Sequence, residues 1–166
     1  MRVLSEQPNK KSYQDGNLRL KVFGASFKKS DILNEALNQA RVEETGLQIP
    51  KLLEVKQIDG QWTIVTEFIE GETLESLMAA HPEKMSEYLE QFVGLQSETL
   101  SKRAPLLNRL KDKMNRKIRE SGLDATTRYE LHMRLNGMRE HEKICHGDFN
   151  PSNVIVTPDG DWYVID

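Results

Sequence analysis

The sequence has one cysteine, no long apolar run, no large excess of charge of either sign, and no glycine between Ser5 and Gln14. A single thiol, Cys145, excludes an intrachain disulfide and a cysteine-based zinc site. Its place beside His146 reads as that of a buried structural thiol. No apolar stretch approaches the roughly 18 to 20 residues of a membrane span, and the N-terminus lacks a signal-peptide core, so a cytoplasmic protein is expected. With 23 basic against 26 acidic side chains the net charge is −3, which argues for neither nucleic acid nor an anionic membrane as a partner. Histidine is scarce too. His81, His132 and His141 fall in helix-like sequence, so a His-plus-Asp hydrolase metal site is poorly supplied.

What is present is a chain of 166 residues, 37% apolar and 30% charged, enough for one domain or two small lobes with a real core. The charge is unevenly placed. Thr66 to Leu100 carries eight Glu and one Lys, whereas Ser101 to Lys143 carries twelve Lys or Arg and six acidic residues. Solvated helix faces explain this most simply; an acidic wall drawing in a cationic ligand is the functional alternative.

From the start, Arg2 to Leu4, Lys10 to Gln14 and the alternating Leu18 to Phe23 read as strands, with a turn at Asp15-Gly16-Asn17. Alternation puts Leu18, Leu20 and Val22 on one face and Arg19, Lys21 and Phe23 on the other, so Lys21 is expected to point away from the lobe core. Ser30 or Asp31 can cap a helix with the stripe Ile32, Leu33, Ala36, Leu37 and Ala40, stopped by Gly46. Glu35, Gln39 and Glu43 lie along one edge of that stripe. Leu52 to Ile58, the Asp59-Gly60 turn and Trp62 to Phe68 make a strong hairpin signal. Gly71 reads as a geometric residue ahead of a Thr73 to Ala80 helix. From Thr73 to His141 the pattern is helical, punctuated by Pro82, Pro105 and Gly122, with methionines as core filler. Trp62 and Trp162 read as packing aromatics on strands.

The richest stretch is CHGDFNPSNVIVTPDGDWYVID, residues 145 to 166. A hydroxyl that attacks a phosphoryl group needs a carboxylate to take or orient its proton, and Asp148 suits that role. Magnesium-bridged phosphates need hard oxygen ligands, and Asp166 suits that one. Asn153 follows Asp148 by five residues. The apolar run Val154 to Val156, the turn residues Pro158 to Asp161 and the run Trp162 to Ile165 make one hairpin that returns Asp166 to the loop. The bland alternative is a surface hairpin with Asx turns and a satisfied histidine.

The spacing D-x-x-x-x-N with Asp thirteen residues later, in the form HGD-F-x-P-x-N and a strand ending in Ile-Asp, resembles the aminoglycoside phosphotransferase and choline kinase-like family. That resemblance implies an α+β, protein kinase-like two-lobed fold: an antiparallel-sheet N-lobe over residues 1–70, a hinge at 67–71, and a helical C-lobe over 72–166 with its catalytic loop at 146–153. It further implies Asp148 as catalytic base, His146 as a brace of the loop, and Asn153 and Asp166 as Mg²⁺ ligands. Lys21, in LRLKVF, would contact the α- and β-phosphates of ATP. Glu35 would hold Lys21; helical spacing leaves Glu43 as the other choice if the register shifts by two turns. Glu67, Phe68 and Ile69, in EFIEGETL, would meet the adenine through their backbone.

Asn150 and Ser152 stand where the family usually has His and Gly, and the glycine-free Ser5 to Gln14 segment is no glycine cradle. That leaves open which residues cover the phosphates, and whether ATP or GTP is used. Family members continue beyond the Ile-Asp, so a C-terminally incomplete C-lobe is expected. The implied reaction moves a γ-phosphoryl group to a hydroxyl of a small molecule such as an aminoglycoside, amino alcohol or sugar. Two other classes stay open: a catalytically silent nucleotide-binding or regulatory module, and a helical protein-interaction domain working through Thr73 to His141.

Overall fold

A computed structural model describes residues 1–166. Five antiparallel strands form the first sheet, in the order β1-β2-β3-β5-β4: β1 Arg2–Gln7, β2 Lys10–Asp15, β3 Leu18–Phe23, β4 Leu52–Ile58 and β5 Gln61–Glu67. The turns are those the sequence signals, at Gly16-Asn17 and Asp59-Gly60. Ser5 to Gln7 and Lys10 to Gln14 are strand, so the glycine-free segment contracts to a tight turn at Pro8-Asn9. Between β3 and β4 runs helix α1, Lys29–Glu43. Its N-cap is Lys28, without a side-chain hydrogen bond; Ser30 and Asp31 lie inside the first turn, where Asp31 faces the positive end of the helix dipole.

Helix α1 covers one face of this sheet. Ile32 and Ala36 bury against Phe23 and Ile64, with Leu52, Val55 and Trp62 at the margin. In β3, Arg19 and Lys21 share that face with Phe23, and Ile64 is directly opposite Lys21 on β5. Lys21 therefore does not point away from the lobe core; it borders the core on the helix side. The alternation misleads because both faces are covered: Leu20 and its partner Val65, on the other face, are also buried.

After β5 comes a second, three-stranded antiparallel sheet, β6 Glu72–Thr73, β7 Val154–Val156 and β8 Trp162–Val164, in that order. The two-residue strand β6 carries no sequence signal of its own; it forms because the chain leaving β5 meets the edge of β7. Helix α2 (Leu74–Ala80) follows directly, its first turn capped by Thr73, whose hydroxyl accepts from the Ser76 amide at 3.2 Å. Leu74, Met78 and Val154 form a second core, walled by Tyr88, Phe92, Leu95, Phe149, Val156 and Trp162.

Helices α3 (Met85–Ser101), α4 (Leu110–Glu120) and α5 (Ala125–Gly137) complete the elements, with non-helical chain around Pro105 and after Met138. Of the methionines only Met78 is core; Met114, Met133 and Met138 are exposed, as are Leu89 and Val93 on α3. Helical periodicity marks a side chain's stripe, not whether another element lies over it. Cys145 is likewise exposed rather than buried. The side chain before His146 that does bury is Ile144.

Candidate active site

Strand β3 and helix α1 bring the first group together. Lys21 Nζ lies 2.6 Å from Glu35 Oε1 and 3.1 Å from Asp166 Oδ1, and its side chain is only 14% exposed. Glu43 is not an alternative partner, because its Oε1 accepts the Leu52 amide at 2.5 Å and ties the end of α1 to the start of β4. Arg19, two residues before Lys21 on the same face, adds a second cation: its Nη2 lies 3.0 and 3.1 Å from the two carboxylate oxygens of Asp166. Burial pushes the Asp166 carboxyl up, but Arg19 and Lys21 outweigh it and hold the group well below the usual carboxylate range.

The second group is the loop from His146 to Asn153. Gly147 sits at φ +85°, a left-handed conformation that suits glycine, and the chain folds back there so that His146 Nδ1 accepts the Asp148 amide at 3.3 Å. His146 Nε2 then donates to the Ile165 carbonyl at 3.1 Å. One imidazole thus ties the loop to the residue before Asp166, bracing the two acidic positions against each other. Behind it, Phe149 stacks on Phe92 of α3 with ring centres 4.8 Å apart, which anchors the loop to the C-terminal core.

Asp148 itself is exposed, open to an incoming molecule. Its Oδ1 accepts from Asn150 Nδ2 at 3.0 Å and its Oδ2 from Asn153 Nδ2 at 3.1 Å. Asn150 Oδ1 in turn accepts from the Ser152 amide at 3.0 Å and from the Ser152 hydroxyl at 2.5 Å. The two departures from the usual motif are therefore coupled: Asn150 holds Asp148, and Ser152 holds Asn150. Motif matching passed over both, since neither is a base or a metal ligand; the sign was that they depart together.

Residues 12–166 match the model of a family described as the phosphotransferase enzyme family. The chain belongs to that family. Two solved structures share this chain's fold. An apo thermostable mutant of aminoglycoside phosphotransferase APH(4)-Ia aligns with a TM-score of 0.65 at 16% identity, over 99% of this chain and 65% of the other. An aminoglycoside-3'-phosphotransferase of type VIII aligns with a TM-score of 0.61 at 18% identity, over 99% and 69%. The chain thus spans about two thirds of the length of these structures. No curated protein sequence matches it. The fold is the protein kinase-like, α+β arrangement of an antiparallel sheet with α1 followed by helices.

The oxygen donors of Asn153 and Asp166 are of the kind that suits a magnesium ion. With its amide nitrogen turned to Asp148, Asn153 keeps Oδ1 free of hydrogen bonds, and Asp166, whose oxygens accept from Arg19 and Lys21, would be the second hard oxygen ligand. No three His, Cys, Asp or Glu cluster into a closed cage; with few protein ligands, Mg²⁺ would be completed by phosphate and water oxygens.

The segment leaving β5 is partly engaged. The Glu67 amide donates to the Lys51 carbonyl at 3.0 Å and the Phe68 amide to the Asn17 carbonyl at 2.9 Å. The Ile69 amide makes no bond within the chain, which leaves it the one free donor of the three.

Proposed function

We propose that this phosphotransferase transfers the γ-phosphoryl group of ATP, or of GTP, to a hydroxyl of a small molecule. The observation that carries the reading is the meeting of Lys21, Glu35 and Asp166 from three distant parts of the chain, with Asp148 tied into the same hairpin through His146. In this reading Lys21, held extended by Glu35, contacts the α- and β-phosphates, and Ile69 offers its amide to the base. Asn153 and Asp166 would hold Mg²⁺, which when bound would neutralise charge on the nucleotide's phosphates. Asp148, steadied by Asn150 and Asn153, orients the acceptor hydroxyl and takes its proton. Positioning and charge stabilisation supply most of the rate in such a site.

The acceptor belongs to the class of small hydroxyl compounds, an aminoglycoside, amino alcohol or sugar. Both aligned structures are aminoglycoside phosphotransferases by name, and the Glu-rich stretch from Thr66 to Leu100 favours a cationic acceptor. No helix is long and apolar enough to cross a membrane, and we place the reaction in the cytoplasm, where ATP is abundant.

The test is a thermal melt with ATP, GTP or ADP, each with Mg²⁺ or with chelator. A ligand at a hundred times its Kd adds about 2.7 kcal/mol to the native state. A magnesium-dependent rise in Tm is expected, retained by Asp148→Ala, which loses transfer, and abolished by Asp166→Ala. Absence of any nucleotide-dependent shift overturns the reading.

A further inference from the structure

The β1–β2 turn is where phosphates would need cover, and its backbone is poorly equipped to give it. Pro8 has no N–H, and the Asn9 carbonyl is pinned by the Gly24 amide at 2.8 Å. The next residue is different in kind. Lys10 opens β2 opposite Phe23, and Ser12 lies opposite Lys21, so Lys10 stands on the same sheet face as Lys21 and Arg19.

Each neighbouring cation has a carboxylate partner. Lys21 has Glu35 and Asp166, Arg19 has Asp166, and Lys11, on the opposite face, has Glu6 at 2.5 Å. Lys10 is half-buried and its ammonium makes no ion pair. Partial burial and the nearby charge of Lys21 lower its pKa, while Asp166 and Glu35 pull the other way. Lys10 therefore feels the field of the whole cluster, in which three cations, Lys10, Arg19 and Lys21, face two carboxylates, Glu35 and Asp166. A half-buried cation without a counter-charge, next to a phosphate site, is an unfilled anion position.

We propose that Lys10 covers the β- and γ-phosphates of the nucleotide, its side-chain ammonium taking the part that backbone amides play in a glycine cradle. This rests on the nucleotide reading above. It assigns the ligand class as a polyphosphate, because Lys21 serves the inner phosphates and Lys10, nearer the turn, serves the outer ones. A point charge on a flexible stem also grips phosphate without demanding the close backbone approach that requires glycine.

The experiment is calorimetric titration of the chain and of Lys10→Met and Lys10→Arg with MgATP, adenosine and inorganic tripolyphosphate, alongside ligand-free melts. Lys10→Met is expected to bind MgATP and tripolyphosphate at least tenfold more weakly, with adenosine unchanged and the ligand-free Tm within a few degrees. Lys10→Arg is expected to retain most of the affinity. If the unaltered chain binds MgATP and Lys10→Met binds it equally well, the Lys10 assignment falls while the nucleotide reading stands. If the unaltered chain binds none of the three, both fall. If Lys10→Met melts early, Lys10→Gln and Lys10→Arg decide: loss in the first with retention in the second supports the assignment, and equal binding overturns it.

Discussion

Arg19 Nη2 stands 3.0 and 3.1 Å from the two carboxylate oxygens of Asp166, joining the middle of the first sheet to the far end of the β7–β8 hairpin. The two residues are 147 positions apart in sequence. With Lys21 on the same Oδ1, the carboxylate of Asp166 is the point at which the two halves of the site are held together.

That contact sets a pH dependence. The folded-state pKa of Asp166 lies below the roughly 3.9 of a free Asp, so the ion pair stabilises the fold above that value and is lost as pH falls through the folded one. The side chain is about a third exposed, which limits the contribution to about 1 kcal/mol. Asp166→Asn should therefore be less stable than the unaltered chain by a constant amount between pH 5 and 8, with the gap closing below pH 4. Urea melts at pH 7, 5 and 3 check this, and a gap that widens on acidification contradicts it.

Glu35 and Glu43 should separate cleanly in function. Glu35→Gln removes one of the two anions on Lys21 and is expected to weaken MgATP binding about tenfold with little change in Tm. Glu43→Gln keeps an oxygen for the Leu52 amide and should leave affinity unchanged. Titration calorimetry on the pair decides. Equal losses would mean that the Lys21–Glu35 contact does not position the phosphates.

Asn150→Ala strips a donor from Asp148 Oδ1 and an acceptor from Ser152. A loss of about 1 kcal/mol in stability is expected. Transfer should slow roughly tenfold in kcat with KM little altered, since the base loses its orientation rather than the substrate its contacts. Steady-state kinetics with an acceptor in hand provide the measurement; a change confined to KM would place Asn150 in acceptor binding instead.

Two glycine-to-alanine changes should have opposite signs. At Gly71 an added Cβ would collide with the Val156 carbonyl oxygen and approach the Ile155 side chain to 2.8 Å, prising β6 from β7, at a cost of about 2 kcal/mol. At Gly94, exposed inside α3 with nothing within 4 Å, alanine should stabilise by about 0.5–1 kcal/mol. Denaturant melts of the two variants test both at once.

Much of the site was legible in the chain because it is local. His146, Gly147, Asp148, Asn153 and Asp166 fall on one hairpin, where sequence spacing is nearly spatial spacing and Pro158 to Asp161 dictate the reversal. The alternating strand LRLKVF and the two-residue turn at Asp59-Gly60 belong to the same class. Where the reading erred, it was asked about surroundings: which face of β3 meets α1, whether Cys145 is covered, whether Met133 has a neighbour, and which group caps α1.

The sequence by itself determined most of the strands and helices and the hairpin that carries Asp148, Asn153 and Asp166, because backbone periodicity, turn residues and motif spacing act over a few residues. Only the tertiary structure decided that Glu35 rather than Glu43 holds Lys21, that Arg19 grips Asp166, that Asn150 and Ser152 support Asp148, and that Lys10 is left without a counter-charge. Those pairings join residues that are close only after the sheet and helices pack. A charged side chain carries no mark of which partner packing will place within 3 Å of it.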